Sequence, residues 1–243
     1  MRKLISLNEN WSLSFPKGER LAEKVTLPHT WNAVDGMDGN GSYLRTTGVY
    51  RCTFLKPEQP LEGGRVYVEV LAAALAAVVK VNGTVAVTHE GGFSAFRADI
   101  TDLCKEGNNE MTIEVSNEDT PSMYPASADF TFYGGLYRGV NLISVPHTHF
   151  DLDYYGGSGI KVTPKPTEDG GATFEIESFV TNQEDCFTVM YSIEDACGCE
   201  VAAAVRPADD TAVTIYVPDA KLWSMDEPNL YTVVARLQKN NET

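Results

Sequence analysis

Arg65-Val66-Tyr67-Val68-Glu69-Val70, followed by Val79-Lys80-Val81-Asn82-Gly83-Thr84-Val85-Ala86-Val87, is the stretch that decides the fold. In its first part valine falls at every second position, with Arg65, Tyr67 and Glu69 between. That spacing puts alternate side chains on opposite faces of an extended chain. In its second part, two residues separate two β-branched runs. Both must take positive φ in a tight hairpin turn, which asparagine and glycine tolerate. The alternation returns at Met111, Ile113 and Val115, at Phe187, Val189, Tyr191 and Ile193, and at Val213, Ile215 and Val217. Short strands with turn signals roughly every ten residues predict an all-β chain of sandwiches rather than parallel βα units.

Leu71-Ala72-Ala73-Ala74-Leu75-Ala76-Ala77 has helix-forming composition. It has neither a cap nor a polar face, and strand-patterned runs flank it, so a strand or bend is expected. A boundary fits near Pro146, after the run Val140–Val145. It divides residues 1–147 from residues 148–243, the latter with enough strand-like runs for an immunoglobulin-like sandwich of about seven strands.

The 243 residues are 43% hydrophobic and 10% aromatic, enough for packed cores. A net charge of −15 argues against nucleic acid or an anionic membrane as partner. Cysteines at 52, 104, 186, 197 and 199 are odd in number and read as free thiols in a reducing compartment. Asn8, Glu9 and Asn10 interrupt any signal sequence after Met1-Arg2-Lys3, and no run of about 18 apolar residues exists. A cytoplasmic protein without membrane contact is expected.

Several blocks, in order, resemble glycoside hydrolase family 2. These are Asn10-Trp11, Leu27-Pro28-His29-Thr30-Trp31-Asn32, Lys80-Val81-Asn82-Gly83, His89-Glu90-Gly91-Gly92-Phe93 with Phe96, and Asp99-Ile100-Thr101. The most specific is Asp129-Phe130-Thr131-Phe132-Tyr133-Gly134-Gly135-Leu136-Tyr137-Arg138, and Leu222-Trp223-Ser224 with Pro228-Asn229-Leu230-Tyr231 closes the series. The resemblance implies a jelly-roll, sugar-binding-like sandwich followed by an immunoglobulin-like one. It further implies the front of a retaining exo-β-glycosidase, in the first place a β-galactosidase acting on terminal β-galactosides. The catalytic (β/α)₈ barrel, which needs about 250 residues of its own, is expected downstream as the partner domain. The full enzyme is expected to be a homo-oligomer acting on carbohydrate. No cofactor is expected within these residues, and sodium or magnesium is left to the full enzyme.

No catalytic residue is assigned here. Retaining hydrolysis needs two carboxyl groups about 5 Å apart, one protonated and one ionised. Asn8-Glu9, Asn109-Glu110, Asn117-Glu118 and Asn241-Glu242 match the family's Asn-Glu dipeptide but sit in polar turns or at the chain end. For substrate contact in the full enzyme, the resemblance points to Asp129, which reaches toward sugar hydroxyls in the galactosidase branch, and to Asn40 and Tyr43. Against Asp129 stands a capping role or a pair with Arg138. The 35–51 loop departs from the family pattern at Tyr43-Leu44-Arg45-Thr46 and Gly48-Val49-Tyr50-Arg51, which weakens it as a contact.

No metal site is assigned. Asp38, Asn40 and Ser42 imitate the start of a calcium loop, but Tyr43 and Val49 break the pattern. His147 with His149 lacks a third ligand, and Cys197-Gly198-Cys199 is two thiolates short of a zinc site. Trp31, Phe93, Phe96, Phe132, Tyr133 and Tyr137 are expected mostly in the core. The alternatives are an independent carbohydrate-binding module, and the front of a β-glucuronidase or β-mannosidase, preferred less because His29–Ala33 and the Asp-Gly loop look galactosidase-like.

Overall fold

The computed structural model describes residues 2–35, 42–57, 63–119, 131–183, 186–210 and 212–239. The chain forms two compact units, residues 2–146 and residues 147–243.

The front unit contains β1 (Lys3–Ser6), β2 (Trp11–Ser14), β3 (Glu23–Val25), β4 (Thr47–Leu55), β5 (Arg65–Val70), β6 (Ala76–Val81), β7 (Thr84–Glu90), β8 (Phe96–Asp99), β9 (Asn108–Ser116) and β10 (Val140–Val145). They make a six-stranded sheet in the order β3-β2-β4-β9-β6-β7 and a four-stranded sheet in the order β1-β10-β5-β8. Asn82 (φ 50°) and Gly83 (φ 84°) form the β6–β7 turn, and Val81 pairs with Thr84 across it. The core collects the residues that periodicity put on one face: Val66, Val68 and Val70 from one sheet, and Val79, Val81, Met111, Ile113 and Val115 from the other. Trp11, Trp31, Tyr50 and Phe96 join them.

The alanine-rich stretch is a bend that leads into β6, with a single bridge from Ala74 to Gly135. Ala72 and Ala73 are fully buried. Their small side chains let the backbone itself run through a close-packed interior, which helical coiling would not permit.

The second face of β5 is also closed. Glu69 is buried and takes both a hydrogen bond from Arg97 Nε (2.8 Å) and an ion pair with its Nη2 (2.7 Å). Asn141 Nδ2 donates to its other oxygen at 2.9 Å. The three residues are cross-strand neighbours on β8, β5 and β10.

The second unit contains β11 (His149–Phe150), β12 (Ile160–Pro166), β13 (Ala172–Ser178), β14 (Val180–Thr181), β15 (Phe187–Glu194), β16 (Glu200–Pro207), β17 (Ala212–Val217) and β18 (Thr232–Lys239). Sheets β12-β13-β17 and β16-β15-β18 enclose a second core built from Phe174, Ile176, Val189, Tyr191, Ile193, Val213 and Ile215, and β11 pairs with β14. The architecture is the expected all-β pair of sandwiches. No helix among the described residues is long and apolar enough to cross a membrane.

Candidate functional site

The site grows out of one strand's periodicity. Along β9 the inward positions run Met111, Ile113, Val115, and the same parity carries on to Asn117, just past the strand end and fully buried. A buried amide must find partners for two donors and an acceptor. Asn117 Nδ2 donates to the carbonyls of Phe132 (2.9 Å) and Leu44 (3.1 Å) and to Asn32 Oδ1 (3.2 Å), and its Oδ1 accepts from Thr46 N at 2.8 Å. Asn32, also fully buried, receives Gly134 N at 2.7 Å and donates to Leu44 O (2.9 Å) and Asp35 Oδ2 (3.0 Å). Two side chains thus lock the 32–35, 44–46, 117 and 132–134 segments at one edge of the jelly roll.

Charge tightens this lattice. Asp35 pairs with Arg20 at 2.5 Å and accepts Leu44 N at 3.0 Å. Burial pushes the Asp35 carboxyl upward, but the Leu44, Asn32 and Arg20 donors outweigh it and hold the group below its ordinary value. Arg45 Nε donates to Asn117 O at 2.7 Å, its Nη1 pairs with Asp119 at 2.5 Å, and its guanidinium lies 5.1 Å from the centre of the Phe132 ring. Gly134 is required where it stands, since a Cβ there would fall 2.1 Å from Cζ2 of Trp31.

Of the sequence candidates, Tyr43 belongs to this edge: its phenol oxygen accepts from Phe132 N at 3.3 Å. The 35–51 loop and the 129–138 block, far apart in sequence, therefore meet. Asp129, Asn40 and Asp38 lie outside the described residues. Arg138 donates to the Phe93 carbonyl at 3.3 Å and lies 5.7 Å from the Tyr137 ring centre. Trp31, Phe96 and Phe132 are core as expected, whereas Phe93 (60% exposed) and Tyr133 (45%) face solvent.

Chemically, this edge offers a phenol, a half-buried guanidinium and an exposed aromatic ring, groups that suit a hydroxyl-rich ligand. Its described carboxylates include Asp35, Glu19 and Asp119, bound to Arg20 and two amides, to the Thr46 hydroxyl, and to Arg45. The Asn-Glu dipeptides also have structural work. Asn8 Oδ1 accepts Val140 N (3.1 Å), Asn109 is buried and closes the 105–109 turn, and Glu118 pairs with Lys17. Asn241-Glu242 lies outside the described residues. His149 Nδ1 meets the His147 carbonyl at 3.0 Å. No group of three or more His, Cys, Asp or Glu side chains suited to a metal occurs among the described residues. Sequence reasoning missed Asn32, Asp35 and Asn117 as the frame of the edge, although the parity of β9 pointed at Asn117.

Residues 3–146 match the family description "Glycosyl hydrolases family 2, sugar binding domain", and residues 158–243 match "Glycosyl hydrolases family 2". Among solved structures, an FMN-binding β-glucuronidase from F. prausnitzii L2-6 is 84% identical, with a TM-score of 0.96 over 100% of this chain and 38% of its own. A β-glucuronidase of Bacteroides fragilis is 36% identical over 159 residues, covering 63% of this chain and 22% of that protein. A β-galactosidase of Clostridium acetobutylicum is 29% identical over 225 residues, 90% of this chain and 22% of that protein. The chain thus spans well under half the length of these relatives.

Proposed function

The chain belongs to glycosyl hydrolase family 2, and from that premise we propose that residues 1–243 are the non-catalytic, substrate-shaping front of a β-glucuronidase. In this reading a barrel elsewhere in the full-length protein carries the acid/base and nucleophilic carboxylates. The observation that carries it is the 84% identity to the F. prausnitzii β-glucuronidase across the whole chain. The front unit's part is to hold Tyr43, Arg45 and the flank of the 129–138 block rigidly at one edge, where they border the sugar.

β-Galactosidase is the second reading. It is favoured by the C. acetobutylicum relative and by the galactosidase-like His29–Ala33 segment. The structure weakens the second support, because Asn32 is wholly engaged in holding Leu44, Asp35 and Gly134. That segment reports how the edge is built rather than which sugar it meets.

The described cavity of the second unit sets Asp195 and Asp219 beside Lys221, a lining that opposes a phosphate dianion at that place. A sodium or magnesium ion is proposed only for the full-length enzyme; Asp35 and Asp119 are already paired with Arg20 and Arg45.

The test is the full-length gene product against p-nitrophenyl β-D-glucuronide and β-D-galactoside. The glucuronide is expected to give the higher kcat/KM by about a hundredfold or more, since a site built around a charged group rejects the analogue lacking it. A preference for the galactoside contradicts the assignment.

A further inference from the structure

Cys197 and Cys199 sit at the tip of the β15–β16 hairpin, and both are exposed. The turn is tightly specified. Gly198 N donates to Asp195 O (2.9 Å), Asp195 N donates to Cys199 O (2.9 Å), and Gly198 takes a φ of +78°. The amides of Cys197 (2.8 Å) and Cys199 (2.9 Å) both donate to Asp195 Oδ1. Two chain steps span at most about 7 Å when fully extended, and this turn is folded. The two Cα atoms are therefore held in or near the range of about 4.4–6.8 Å that accepts a disulfide. Glycine between them leaves the space over the turn free of a third side chain.

A second feature lies beside the thiols. Cys197 lines a cavity of about 370 Å³ together with Asp219, Lys221, Asn229 and Tyr231. The cavity gives a small reagent room to approach. Asp219 and Lys221 share the same wall, and Asp195 spends one oxygen on the two turn amides. The thiolate is the attacking form, and both thiols stand open to reagent and solvent.

We propose that Cys197 and Cys199 form a reversible dithiol site, oxidised to a disulfide within the turn by small disulfides such as glutathione disulfide. In the first step the Cys197 thiolate attacks one sulfur of glutathione disulfide. A mixed disulfide forms, the glutathione S–S bond breaks, and one glutathione thiolate leaves. In the second step Cys199, its proton lost to solvent, attacks the Cys197 sulfur and expels the second glutathione thiolate. Two protein thiols are oxidised to one disulfide, and one glutathione disulfide is reduced to two thiols. Accessibility sets the selectivity. Cys52 is buried, with its thiol pushed up to about 12 by that burial, and Cys104 is half-buried, with its thiol also raised by burial.

The fully reduced chain, incubated with glutathione disulfide and digested, tests this. The peptide spanning 197–199 is expected to lose two hydrogens, to carry no glutathione, to lose both thiols to Ellman's reagent, and to recover with dithiothreitol. Cys52 and Cys104 should stay unmodified. Cys197→Ser is expected to abolish the loss of two hydrogens, leaving at most a stable glutathione adduct on Cys199. Stable adducts on both cysteines of the wild-type chain, no reaction, or disulfide-linked dimers through these residues would each overturn the proposal.

Discussion

Asn117→Ala is expected to destabilise the front unit by on the order of 3 kcal/mol, since it deletes four hydrogen bonds in a site closed to water. The cost comes less from the lost bonds than from what they leave. Thr46 N, in a residue only 1% exposed, loses its acceptor, and the Phe132 carbonyl loses a donor. Because the Leu44 carbonyl keeps Asn32 as a donor at 2.9 Å, the lattice should loosen rather than vanish. Denaturant unfolding of the chain measures the loss, with exposed Thr88→Ala as a control expected within about 0.5 kcal/mol of wild type. Loss of less than about 1 kcal/mol would mean the amide is not what joins these segments. In the full-length enzyme the same substitution should lower kcat/KM, because Tyr43 and Phe132 are held in register through the backbone that Asn117 ties down.

A larger effect is expected at the buried ion pair. Arg97→Ala leaves Glu69 with Asn141 as the neutral donor to its other oxygen. Breaking one partner of a pair this buried, with both side chains 8% exposed, costs about 3–5 kcal/mol. Replacing Glu69, Arg97 and Asn141 together by apolar residues of similar volume should recover most of that loss, because the two buried charges are then gone and only the neighbouring Arg2, itself exposed, keeps its charge. Equilibrium unfolding of the single and triple variants separates the two cases. A triple variant as unstable as the single one would show that the pair contributes by its attraction, not merely by mutual neutralisation.

The legibility of the fold follows from these sites. A period of two in Val66–Val70 and Met111–Val115, and again in Phe187–Ile193 and Val213–Val217, is a direct statement about faces, and Asn82-Gly83 states a turn, so both sandwiches could be read from residue order. Parity says which face a residue takes but not whether that face is covered. Glu69 and Tyr67 were correctly placed opposite the core valines, yet both are buried, and sequence holds no sign of it. The alanine run shows the same gap, since composition suited a helix while burial on all sides required a compact extended backbone. Phe93 and Tyr133 were grouped with the core aromatics because ring size alone cannot distinguish a residue packed under a loop from one standing on it.

The candidate edge was less legible. Tyr43 was found as a member of an irregular loop, but its partner Phe132 lies 89 residues away in sequence. Asn32 stood in a family motif and Asn117 in an Asn-Glu dipeptide, and neither context shows their pairing across 85 positions. Galactoside ranked ahead of glucuronide in the sequence because the 29–33 segment and the Asp-Gly loop resemble galactosidases, but Asn32 of that segment braces the edge, and relatives of both names match the chain.

The central claim is that this chain shapes a sugar site without cutting the glycosidic bond. It is tested most directly by incubating purified residues 1–243, beside the full-length protein, with p-nitrophenyl β-D-glucuronide and measuring released p-nitrophenol. The account predicts release by the full-length protein and none above the buffer blank from residues 1–243. Sustained release by residues 1–243 alone would contradict it.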